Sequence, residues 1–77
     1  MAEITFRDET QVMQAEACFD MAMQNVRESY GSEAVDKLSE ESRESFEGKL
    51  WNNIALSVVK EGYEAAKDYA RNAHFVL

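Results

Sequence analysis

Proline is absent from this chain, and glycine interrupts it only at positions 31, 48 and 62. Proline ends helices more surely than any other residue, because it lacks the backbone N–H and its ring clashes with the preceding turn. Without it a helix can run for as long as its apolar spacing lasts, and here apolar residues recur at three and four positions almost throughout. The expected fold class is all-α. The pattern predicts a helical hairpin or small helical bundle, with two longer helices and a short linking helix, in one domain spanning residues 1–77.

Local signals place the elements. Asp8 followed by Gln11 is a capping-box pattern, which satisfies orphan N–H groups at a helix start. From there Val12, Ala15, Phe19, Ala22, Val26 and Tyr30 line one face of a helix that Gly31 should stop. Ser32 can cap a short helix from Glu33 to about Leu38, with Val35 and Leu38 facing inward. Ser39, followed by Glu40 and Glu41, is the next N-cap, with carboxylates where the helix dipole favours them. A third helix is expected from Glu40 toward Asn72, its stripe running from Leu50, Trp51, Ile54, Ala55 and Val58 through Gly62 to Ala65, Ala66, Tyr69 and Ala73. In that reading Gly48 marks a kink or break, and Gly62 lets another helix approach closely. The Ile4-Thr5-Phe6 segment is either a short strand or an apolar cap on the first helix. The tail His74-Phe75-Val76-Leu77 is apolar enough that it should dock on its own bundle, on Ile4–Phe6, or on another subunit.

Size limits how this bundle can be stabilised. A chain of 77 residues buries only about 60% of the surface exposed when unfolded. Small proteins make up the deficit with disulfides, metals or oligomerisation. Cys18 is the only cysteine, so no intrachain disulfide can form. A lone cysteine without a secretory leader suits a cytoplasmic setting, and no apolar run approaches the roughly 20 residues of a membrane span. Oligomerisation remains, and a homodimer completing a four-helix arrangement is the expectation.

Charge narrows the partners. Fifteen acidic residues face eight basic ones, for a formal net charge of −7. Phosphate neutralisation needs a basic face, and no Lys/Arg cluster exists, so direct nucleic-acid binding is not expected. An acidic surface serves either solubility or steering toward a basic partner.

The residues of catalysis are scarce. His74, beside the terminus, is the only histidine, and Cys18 sits in an apolar stretch where a thiol is ordinarily inert packing. Helical di-iron sites use Glu-x-x-His, whereas Arg71 stands three residues before His74. No glycine-rich phosphate loop is present. Carboxylate pairs such as Glu40 with Glu44, or Glu44 with Glu47, are one turn apart, the ordinary arrangement of a solvated helix face. No enzyme activity, cofactor or metal is expected.

Two constellations could carry function. Glu28, Glu33, Asp36, Glu40, Glu41, Glu44 and Glu47 crowd one stretch against only Lys37 and Arg43. This stretch is either a hydrated, capped helix start or a face for a larger basic protein, able to imitate a phosphate backbone. Met13, Met21 and Tyr63 lie off the centre of the apolar stripes, and with Lys67, Arg71 and Phe75 they form a candidate dimer or ligand surface.

Trp51-x-x-Ile54-Ala55 followed by Gly62-Tyr63-x-Ala65 resembles the second helix of a phage helical-hairpin family. Those proteins sequester cyclic oligonucleotide signals and blunt CBASS or Thoeris immunity. The resemblance is confined to these third-helix positions. The stretch joining the first and third helices is longer here than a tight hairpin turn, and the acidity does not favour a phosphate ligand. The resemblance implies a cyclic nucleotide as ligand, with Tyr63, Lys67 and Arg71 the residues whose chemistry would supply stacking and charge.

Taken together, these features describe a small acidic non-enzymatic binding protein. By association, short acidic helical chains without catalytic groups are common among phage and mobile-element inhibitors of host defence or nucleic-acid-processing proteins. A sponge for cyclic oligonucleotides and a structural subunit of a larger assembly are the alternatives.

Overall fold

The computed structural model describes residues 4–75. Four helices follow one another: α1 (Glu9–Tyr30), α2 (Ser32–Asp36), α3 (Glu40–Glu61) and α4 (Tyr63–Asn72). No strand occurs among the described residues, so the fold is an all-α bundle. The Ile4–Phe6 segment has no regular structure; Phe6 packs on the core as an apolar cap. Val76 and Leu77 of the expected docking tail lie outside the described residues.

α1 starts where the capping pattern placed it. The Asp8 carboxylate accepts the Gln11 N–H at 2.9 Å, and this hydrogen bond, the largest cause, holds its pKa below the ordinary aspartate value. The Gln11 side chain reaches back one residue further than a capping box requires, accepting from the Arg7 N–H at 2.6 Å. Gly31 ends the helix at φ 87° and ψ 143°, outside the left-handed helical region expected of a C-cap but still at a positive φ that favours glycine. It also serves as the N-cap of α2, so Ser32 is the first helical residue and not the cap, and α2 closes at Asp36 before Leu38. Ser39 caps α3 as expected, its hydroxyl accepting from the Ser42 N–H at 3.2 Å.

The main correction concerns the third helix. It does not run through to Asn72, because Gly62 breaks it with φ 100° and ψ 169°. That region of backbone space is essentially reserved for glycine. Gly62 therefore turns the chain; it does not admit a close helix, and a Cβ there would meet nothing within 4 Å. Gly48, expected to kink or break the helix, lies inside an unbroken α3. The reversal at Gly62 folds α4 against both α1 and α3. The third wall of the bundle thus comes from the same chain.

The core at this three-way junction is built from small residues. Ala15, Cys18 and Ala22 of α1 meet Leu50, Ile54 and Val58 of α3 and Ala66 and Ala70 of α4. Small side chains at the contact let helix axes approach toward the short end of the usual 8–10 Å range. Among the described residues Ile54, Val26, Val35 and Val58 are the largest side chains almost wholly withdrawn from water, each contributing about 1.5–3 kcal/mol by burial. On one flank the Trp51 ring meets both Phe6, 6.1 Å away and tilted, and Phe19, 5.9 Å away and edge-on. The inward face of α1 is rotated slightly from the expected stripe: Gln11 and Cys18 are buried, Phe19 and Val12 flank, and Tyr30 is exposed.

Candidate functional site

The acidic residues gather where α1, α2 and α3 meet. Glu28 lies in the last turn and a half of α1, Glu33 and Asp36 are on α2, and Glu40, Glu41 and Glu44 occupy the opening turns of α3; all six are exposed, and Glu47 is half-buried. Glu40, Glu44 and Glu47 fall on one side of α3 at one-turn spacing, with Glu41 adjoining.

Four cations belong to this stretch of the chain, and the geometry accounts for three of them. Lys37 pairs with Glu33 at 3.3 Å and Arg27 with Asp36 at 3.4 Å, both at exposed positions where such pairs hold little energy. Arg43 follows a different course. Its Nη2 donates to the backbone carbonyls of Val35, at 3.3 Å, and Asp36, at 2.9 Å. Both carbonyls stand at the end of α2, where a positive charge complements the helix dipole, and Val35 also accepts from the Leu38 N–H at 3.2 Å. Arg43 therefore ties α2 to the start of α3 and turns its charge inward, away from the carboxylates around it. The fourth cation, Lys49, is exposed further along α3. Among the described residues Glu28, Glu40, Glu41, Glu44 and Glu47 have no ion-pair partner.

The second candidate surface is divided by the fold. Met13 stands alone on the outer side of α1, 67% exposed. Met21 and Tyr63 are half-buried against the core. Tyr63, Lys67 and Arg71 share one side of α4, and the Lys67 ammonium lies 4.6 Å from the Tyr63 ring centroid and 3.0 Å from the Glu64 carboxylate. Arg71 borders a shallow groove of about 340 Å³ shared with Met21, Gln24, Asn25 and Glu28. Phe75 folds back edge-on to Tyr69, ring centroids 5.6 Å apart, and its carbonyl accepts from the Tyr30 hydroxyl at 2.7 Å. The end of the described chain is thus docked on its own bundle.

Asn25 is the residue that the sequence pattern gave least reason to notice. Its side-chain amide donates to the carbonyls of Ala70, Arg71 and Ala73 at 3.2, 3.3 and 3.1 Å, capping α4 from across the bundle. Its one sequence signal is polarity at a position flanking the buried face of α1.

Cys18 has no solvent exposure, and burial raises its thiol pKa, against the smaller opposing influence of Lys67 and Arg71. A thiol so held is a poor nucleophile. His74 is exposed beyond the end of α4. Among the described residues no three of His, Cys, Asp or Glu are gathered as a metal site requires, and no helix is long and apolar enough to cross a membrane. What the surface offers chemically is fixed negative charge on a braced helix junction.

No protein-family model, curated protein or solved structure matches this chain. The class of molecule is therefore defined by the fold and surface alone: a small helical bundle with an acidic junction.

Proposed function

We propose that the protein is a non-catalytic binding module that engages a larger, basic protein through the junction of α2 and α3, and so blocks or regulates it. The observation that carries this reading is the disposition of charge around Arg43. Glu40, Glu41 and Glu44 stand exposed without ion-pair partners among the described residues, while the cation in their midst is spent on the α2 carbonyls. Carboxylates left outward and held on a braced junction present a preorganised negative surface, which costs little further ordering on binding. Complementary charge of this kind raises association rates and selects partners more than it adds raw affinity. A phage or mobile-element inhibitor of a host defence or nucleic-acid-processing protein, acting in the cytoplasm, is the biological role that fits such a module. The test is the salt dependence of the complex. Affinity should fall steeply as salt rises through the range in which the Debye length shortens from about 10 Å to about 3 Å. A complex indifferent to salt would remove the acidic junction from the account.

A second reading has its own support in α4. Tyr63, Lys67 and Arg71 lie at successive one-turn intervals, and Arg71 borders a groove of about 340 Å³. That array could stack and neutralise a cyclic oligonucleotide, making the protein a sponge for such signals. Glu28 in the same groove and the Lys67–Glu64 pair act against a phosphate ligand. Titration calorimetry with cyclic di- and trinucleotides decides it, since absence of heat with every ligand eliminates the sponge.

A further inference from the structure

The outer side of α3 carries a row that the single chain leaves unused. Glu44, Gly48, Asn52, Leu56 and Lys60 recur at every fourth position, on the side of the helix away from Leu50, Ile54 and Val58. Four of them are exposed, and Leu56 is half-buried along a shallow groove of about 540 Å³ that it shares with Lys60 and Tyr69. Neither Glu44 nor Lys60 has an ion-pair partner among the described residues.

Gly48 is the member that calls for an explanation. It lies within regular α-helix, its φ is not positive, and a Cβ there would meet nothing within 4 Å. Nothing inside the chain requires glycine, yet glycine weakens a helix interior by about 1 kcal/mol relative to alanine. A bare backbone at an exposed position serves an approach from outside. The row also has a symmetry of its own. Read outward from Asn52, glycine at four residues before matches leucine at four after, and glutamate at eight before matches lysine at eight after.

We propose that this row is a two-fold interface between copies of this chain, with two α3 helices crossing antiparallel about Asn52. Rows spaced by four run obliquely around a helix and align with each other when helices cross near −50°, the commonest packing class. In an isologous interface each residue meets its symmetry mate's counterpart, so the row must be complementary to its own reverse. This one is. Leu56 of one copy fills the notch left by Gly48 of the other, Glu44 meets Lys60, and the two Asn52 amides meet on the axis, where each can donate and accept. Val59, an exposed apolar residue on the same side, gains cover. The crossing splays the helix ends, which leaves Glu40 and Glu41 free for another partner. The interface shares only Glu44 with the acidic junction, and its test, the mass of the chain in solution, does not depend on a partner at that junction.

Sedimentation equilibrium of the full chain over a wide concentration range tests the assignment. The wild-type chain should pass from one-chain to two-chain mass as concentration rises. Glu44→Lys and Lys60→Glu should each raise the dimer dissociation constant about tenfold, since two exposed pairs become two repulsions. The Glu44→Lys/Lys60→Glu double variant should recover the wild-type value. Gly48→Leu, which has open space in the single chain, should keep its helical circular dichroism and lose the two-chain mass. One-chain mass for wild type at every concentration overturns the proposal and leaves the row to a different protein or to solvent. A dimer that persists in Gly48→Leu, or that is weakened by the single charge reversals without recovery in the double, overturns it too.

Discussion

Gly62→Ala is the substitution whose effect follows most directly from the backbone. At φ 100° and ψ 169°, Gly62 occupies a conformation that a Cβ disfavours through the local backbone, not through any neighbour, because nothing lies within 4 Å of the added atom. Holding a non-glycine residue there costs about 1–3 kcal/mol. A domain of this length has about 4–12 kcal/mol to lose, so the change removes a sizeable share of it. At about 4–8 °C per kcal/mol for a domain this small, the melting temperature should fall by about 4–24 °C. Gly48→Ala supplies the control. The same chemical change, at a helical glycine that is equally open, should instead stabilise by up to about 1 kcal/mol. Thermal melts followed by circular dichroism, on dilute samples of all three proteins, read both effects. If Gly62→Ala melts at or above the wild-type temperature, the chain does not turn at Gly62, and α4 does not fold back as described.

Three further outcomes are expected. Asn25→Ala removes the donors that cap α4 through the Ala70, Arg71 and Ala73 carbonyls; it should cost about 1–2 kcal/mol and raise hydrogen exchange at the end of α4 well above that elsewhere. Asp8 has a folded pKa below its unfolded value, so its cap stabilises above the ordinary aspartate range and is lost as pH falls through the folded pKa. Asp8→Ala should therefore melt below wild type at neutral pH, with the gap closing in strong acid. Cys18, unexposed and with a raised pKa, should resist alkylation in the folded protein and react promptly once denaturant is added; equal rates in both states would contradict its burial.

Helix content and the caps of the two long helices were legible in the sequence because they depend on local chemistry, whereas the cap of α2 fell on Gly31 and not on Ser32. Asp8, Ser39 and Gly31 act through hydrogen bonds or dihedrals within a few residues of themselves. The break at Gly62 was hidden by an accident of register. Val58, Gly62, Ala66 and Ala70 continue in steps of four, so the apolar stripe looks unbroken although the chain reverses. Periodicity reports which residues share a face and says nothing of whether one helix or two carry them. The identical signal at Gly31, glycine following a complete amphipathic helix, was available at Gly62 and was masked by the apolar residues beyond it. The acidic junction was legible as composition, but not its organisation. That Arg43 spends its charge on α2 carbonyls depends on a contact between elements, which spacing cannot reveal. The same holds for Asn25, whose partners lie across the bundle.

The acidic junction as a partner face is the claim on which the functional account rests, and affinity capture from a bacterial lysate with three baits tests it most directly. Wild type should retain a basic protein that Glu40→Lys/Glu41→Lys loses while still folding. Glu16→Lys/Asp20→Lys, an equal charge change at exposed positions on α1, should keep it. Retention of the same protein by all three baits, or its loss from both variants alike, would contradict the account.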